Sequence, residues 1–271
     1  MPFELMEFLI RAGATALVVI GVTVIVPRLG ARMGGIVVGL PIVLGPGMFF
    51  LLAEEGAGFV SDAVMLALFG IASSVLLAWS FARLAVRHGP WTSVVVASLV
   101  WAISLNLLQL LPHTLGFGVA AIAAIMIATH LLGHDPAAER AMPVAARRPI
   151  DLVVRGTAAG LLVGVVALVA PHAGPRLSGM LVAFPIALCV VGVTIHQRYG
   201  GAACARTLAT AQIGMTSLAT FGATLALLIG RLPDQAAFWL AVGASLLPTS
   251  LLTALRYLRE APGEQPATDG R

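Results

Sequence analysis

The chain has 271 residues, 59% of them hydrophobic and 10% charged, with a net charge of +4. Soluble domains carry about 25% charged residues, so a chain this apolar reads as embedded in a membrane. All sixteen basic residues are arginine, which excludes a lysine Schiff base and any catalytic lysine. The arginines fall in short stretches between apolar segments, where they orient a membrane protein and do not signal nucleic-acid binding.

A spanning helix needs about 20 mostly apolar residues. In chain order nine segments qualify: 8–27, 35–53, 62–84, 91–111, 115–133, 150–170, 177–196, 204–230 and 235–256. Glu4 and Glu7 precede Arg11, the wrong charge for the start of a cleavable signal, so the first span is expected to be kept. Glu54, Glu55 and Asp62 are expected in a loop between spans two and three. The polar stretch 134–149 is expected to be a cytoplasmic linker. On this topology three arginines (Arg11, Arg176 and Arg231) lie on the N-terminal side and the other thirteen on the opposite side. The richer side is cytoplasmic by the positive-inside tendency. The expectation is a membrane protein with its N-terminus outside and its C-terminus inside, which requires an odd number of spans.

The chain also repeats. A shift of 144 places residues 11–56 on 155–200 without a gap, so that Arg11 meets Arg155, Pro27 Pro171, Gly30 Gly174, Arg32 Arg176, Gly35 Gly179, Pro41 Pro185 and Gly56 Gly200. The register continues to Gly70 on Gly214 and Ser73 on Ser217. Matched apolar residues carry little weight, but glycine and proline have definite backbone roles. An offset of five spans inverts one unit relative to the other. The predicted fold is therefore an all-α polytopic membrane protein: a four-helix repeat (1–111), a connector helix and cytoplasmic loop (112–149), a second, inverted four-helix repeat (150–258) and a disordered tail (259–271). Inverted repeats with Gly/Pro-interrupted spans in corresponding positions are the signature of a transporter with its site between the halves.

Spans two and seven carry such interruptions. One reads Gly39-Leu-Pro41 and the other Ala183-Phe-Pro185. A proline inside a span frees a carbonyl, and in lipid such backbone is tolerated where it is buried in protein or lines a wet cavity. Gly39, Pro41, Ala183 and Pro185 are therefore candidate substrate-binding positions. Arg32 and Arg176 open the same spans and could attract an oxyanion at either mouth; interfacial anchoring is the plainer role. Mild polar groups inside spans, chief among them Asn106, Gln212 and Ser217, complete the candidate set, with interhelical hydrogen bonding as their plainer role.

No Asp or Glu falls in the middle of a predicted span, and the six histidines lie near span ends without ligand spacing. Cys189 and Cys204 read as small packing residues. No metal, cofactor or enzymatic chemistry is expected, and no proton relay. Partners are expected to be membrane lipid and a small-molecule substrate, with a homo-oligomer left open.

The second half contains Ser178-Gly179-Met-Leu-Val-Ala-Phe184-Pro185 and Gly214-Met215-Thr-Ser217; the first contains Gly34-Gly35-Ile-Val-Val-Gly-Leu-Pro41 and Gly70. On these residues each half resembles the GlpM-like small inner-membrane proteins of bacteria. The resemblance implies a fused, inverted duplication of a unit that elsewhere could pair as a dimer, and it supplies no substrate. The function expected is a carrier for a small or lipid-like solute that could bear an anionic group. The alternative is a non-transporting scaffold for envelope assembly.

Overall fold

A computed structural model describes residues 6, 9–10, 12–17, 20–21, 41–133 and 149–260. These residues form helices, and the β-structure among them is one isolated bridge between Ile229 and Leu232. In chain order the long helices are α1 (Leu44–Ala85), α2 (Pro90–Leu108), α3 (Leu115–Leu131), α4 (Pro149–Val182), α5 (Ile186–Tyr199), α6 (Gly201–Leu228) and α7 (Asp234–Glu260). Four stretches are long and apolar enough to cross a membrane: Leu44–Ala85, Pro90–Leu108, Gly174–Tyr199 and Gly201–Leu228. The described residues are thus almost entirely helical, with helices suited to a membrane-embedded protein.

The predicted segments 91–111, 115–133, 204–230 and 235–256 correspond to α2, α3, α6 and α7, with small differences at the ends. Pro90 opens α2 after an extended Gly89, where its missing N–H costs nothing. The Thr114 hydroxyl caps α3 through Phe117 N. Span one is described in part, and span two from Pro41 onward, where residues 44–53 belong to α1; the 134–149 linker up to residue 148 and the tail beyond Glu260 lie outside the described residues, and residues 259–260 of that expected tail are still helical.

The expected loop holding Glu54, Glu55 and Asp62 is absent. Helix α1 carries all three residues and is interrupted at Gly56 alone (φ 80°, ψ 179°). The same backbone recurs at Gly174 inside α4 (φ 72°, ψ 176°) and at Gly200 between α5 and α6 (φ 86°, ψ 171°). This region is open essentially only to glycine. One residue therefore joins two helices without a loop, and the flanking carboxylates stay on helical backbone. Gly56 and Gly200 are matched positions of the sequence repeat.

The second arm of α1, residues 57–85, forms the centre of the bundle. Its Leu68, Phe69, Leu77 and Phe81 are fully buried, as befits a helix apolar on every side. The segment 179–201 rises beside it in step: Gly179 against Ala63, Ala183 against Gly70, Gly192 against Phe81, and Gly201 against Ala85. The two therefore run parallel. Helix α6 runs antiparallel to α1, with Gln212 at Val75 and Gly222 at Leu68. The outer faces of α2 and α3 expose Leu99, Ile103, Leu107 and Ile127, as lipid contact requires.

One end of the bundle collects the carbonyl ends of three helices. Arg83 Nη2 donates to Leu132 O of α3 at 2.7 Å and lies 4.6 Å from the Trp79 ring. His196 Nε2 at the end of α5 lies 2.9 Å from Ala85 O and 3.0 Å from His88 O. Both partners only accept, so Nε2 carries the proton. Cationic and N–H groups here complement the negative helix ends.

Candidate functional site

The break between α4 and α5 begins at Val182. Ala183 and Phe184 leave helical geometry, and Pro185 restarts it as the N-cap of α5 (φ −83°, ψ 56°). Pro41 stands three residues before α1, with Ile42 and Val43 in a turn and Val43 as the N-cap. The two prolines accept matched hydrogen bonds: Gly45 N to Pro41 O at 2.7 Å and Cys189 N to Pro185 O at 3.1 Å. Each proline therefore lies at the start of a helix, and Pro185 separates α4 from α5 where it could have kinked one continuous helix. The two breaks meet, since a Cβ on Gly47 would lie 2.8 Å from Val182 Cγ2.

A cavity of about 260 Å³ lies at this meeting point. Its walls are Ile42–Leu44 from the first break, Val182–Leu188 from the second, Ile71 and Ser74 of α1, and Thr207, Ala211 and Gly214 of α6. Among the described residues no charged side chain lines it. A hydrogen-bonded cluster ties the second break to α1. Ser74 Oγ lies 2.8 Å from Gly70 O and 3.2 Å from Ala183 O. Trp101 Nε1 donates to Ser74 Oγ at 3.2 Å and to Gly70 O at 3.3 Å, while its ring packs edge-on to Phe184 at 4.9 Å. Ser74 has one proton for two carbonyls, so it shares that proton between its own helix and the broken segment. Ser74→Ala is expected to lower stability by about 1 kcal/mol. A double-mutant cycle with Trp101→Phe on thermal denaturation checks that the two side chains are coupled.

The candidate residues divide into groups. Ala183 and Pro185 line the cavity, and Pro41 lines an adjacent apolar slot. Gln212 is buried behind the cavity, its Nε2 3.5 Å from Val75 O. Ser217 is fully buried without a hydrogen-bond partner for its hydroxyl, as is its match Ser73. Asn106 is exposed on α2 and donates to Ala102 O of its own helix at 2.8 Å. Arg176 is exposed, and its Nε donates to Gln109 Oε1 at 2.8 Å. Gln109 is itself buried and donates to Met180 Sδ at 2.9 Å. Arg176 is therefore positioned at one end of the bundle and does not line the cavity. Arg32 and Gly39 lie outside the described residues.

Trp101, Phe184, Ser74 and Thr207 are the cavity-side residues that the sequence did not single out as a site. One signal existed: Trp101 stands near the middle of its span, whereas membrane tryptophans concentrate at the interfaces. Both cysteines are free and buried, and Cys204 Sγ donates to Gly192 O at 3.2 Å. No group of three or more His, Cys, Asp or Glu suited to a metal occurs among the described residues. Comparison with known proteins finds no matching family model, no similar curated protein and no similar solved structure.

Proposed function

We propose that this chain is a non-enzymatic inner-membrane carrier built from two inverted four-helix repeats, binding a small or lipid-like solute where broken spans two and seven meet. The observation that carries this reading is the cavity lined by both proline breaks. Carriers place substrate near the midplane, on discontinuous helices at the repeat interface.

Three further observations support the inverted arrangement. Gly56 and Gly200 share one glycine-only backbone; Pro41 and Pro185 both open helices and accept matched bonds; and spans three and seven run parallel, as an alternating nine-span path demands. The GlpM-like resemblance of each half fits the same duplication. The N-out, C-in orientation remains part of this proposal and rests on the arginine distribution. The described walls of the cavity carry no charge, which favours a carrier without an ion-coupling carboxylate.

The test is chemical access. Cys189 and Cys204 are both buried, so the native protein is expected to resist a membrane-impermeant maleimide. Ala187→Cys, placed in a Cys189→Ser, Cys204→Ala background, puts a thiol on the cavity wall. Labelling from one face of the membrane, in intact cells or inverted vesicles, is the expected outcome. A folded Ala187→Cys protein that labels from neither face would move the assignment to an envelope scaffold.

A further inference from the structure

A second space adjoins the central cavity. It is a slot of about 340 Å³ whose walls include Phe49, Phe50, Phe238 and Trp239. Ile42 lines both spaces. Ile42 follows Pro41 in the turn before α1, so the wall residue that slot and cavity share lies on that turn. Trp239 is 60% exposed and its neighbour Leu240 52%, which places the outer edge of the slot on the lipid-facing surface. Among the described residues no charged side chain lines the slot. Thr15 lies on its wall, fully buried, with a hydroxyl that has no hydrogen-bond partner.

These features select a ligand class. Among the described residues no counter-charge faces the cavity, so a charged solute would lose its hydration there at high cost. The nearby guanidinium of Arg176 is engaged by Gln109 at the bundle end and reaches neither space's walls. An apolar chain loses nothing on passing from bilayer to these walls. The orphaned Thr15 hydroxyl offers the one hydrogen bond that a neutral polar end requires, and a buried hydroxyl left unpaired is itself costly. Resting on the carrier reading above, we infer that the central cavity takes an uncharged, chain-bearing lipid-like molecule, admitted sideways from the bilayer through the slot and past Ile42.

Trp101 is a built-in reporter, because it touches Ser74 and Phe184 on the cavity wall. Substituting Trp79, Trp91 and Trp239 by phenylalanine leaves it as the single tryptophan. The probe is a long alkanol brominated along its chain, added to the full-length protein in vesicles. The expected result is saturable loss of most of the Trp101 emission. Ala211→Phe and Ala187→Phe, on separate walls of the cavity, should each restore emission in protein that elutes as a single folded species. Equal quenching with and without these fillings would mean that bromine acts from the surrounding bilayer, and would overturn the inference. Quenching by acrylamide but not by the alkanol would overturn the lipid-like class while leaving a water-filled carrier intact. Protection from both reagents, together with an unlabelled Ala187→Cys protein, would overturn the carrier reading as well.

Discussion

Alanine at Gly200 is expected to destabilise the protein by about 1–3 kcal/mol, the usual strain of a non-glycine residue in this backbone region. Gly200 has φ 86° and ψ 171° and no side-chain neighbour that a Cβ would strike. Strain, and not crowding, is therefore the cause. Gly56, at φ 80° and ψ 179°, is equally open around its missing Cβ, so Gly56→Ala should behave alike. The two hinges bound opposite ends of the α1–α5 pair, far enough apart that their effects should add. The double variant is then expected to lose about 2–6 kcal/mol, enough to remove most folded protein from the membrane at growth temperature. The control is Gly243→Ala in α7, which also has open space around it but no positive φ. Alanine favours helix over glycine by about 1 kcal/mol, so Gly243→Ala should be neutral or stabilising. Thermal denaturation followed by size-exclusion in detergent compares all four proteins. Normal stability in the Gly200→Ala protein would mean that the hinge is not held in this conformation.

These hinges show which parts of the structure the residues disclose. Helix-length apolar runs disclosed α2, α3, α6 and α7 to within a few residues, because lipid demands whole apolar turns and tolerates little else. The stretch from Glu54 to Asp62 misled for a related reason. Two adjacent glutamates look like solvent-exposed loop, yet a single glycine in an unusual conformation turns the chain without a loop. The repeat had marked that glycine by pairing it with Gly200; its backbone role became visible only in three dimensions. The paired prolines were legible in the same way, as interruptions, but not their placement at helix starts. The pairing of Arg176 with Gln109 was not legible, since the partners are 67 residues apart on different helices. Nor could sequence separate Asn106 from Gln109. Three residues apart on a helix, they turn through most of one revolution, and here one faces outward while the other is buried.

The close approach of α1 to the second break yields the sharpest remaining prediction. Gly70 lies so near Ala183 that a Cβ on it would collide with the Ala183 Cβ. The Gly70 carbonyl also receives Ser74 and Trp101, the pair that holds the broken segment. Small residues at such crossings let helices in a membrane approach closely enough for packing and polar contacts to act. Gly70→Ala is therefore expected to cost about 1–3 kcal/mol by overpacking, even though alanine is the better helix former. The decisive experiment moves the methyl group instead of adding one. In Gly70→Ala with Ala183→Gly, the total volume at the crossing is unchanged and the Cβ is supplied from the other side. Because the two Cβ positions nearly coincide, the swap should recover most of the loss, and a double-mutant cycle on thermal stability should show strong favourable coupling. A swap no more stable than Gly70→Ala alone would show that the crossing is looser than the structure places it, and that Ala183 is not held against α1. Recovery of both stability and Ala187→Cys labelling would tie the geometry of this one crossing to the opening of the cavity beside it.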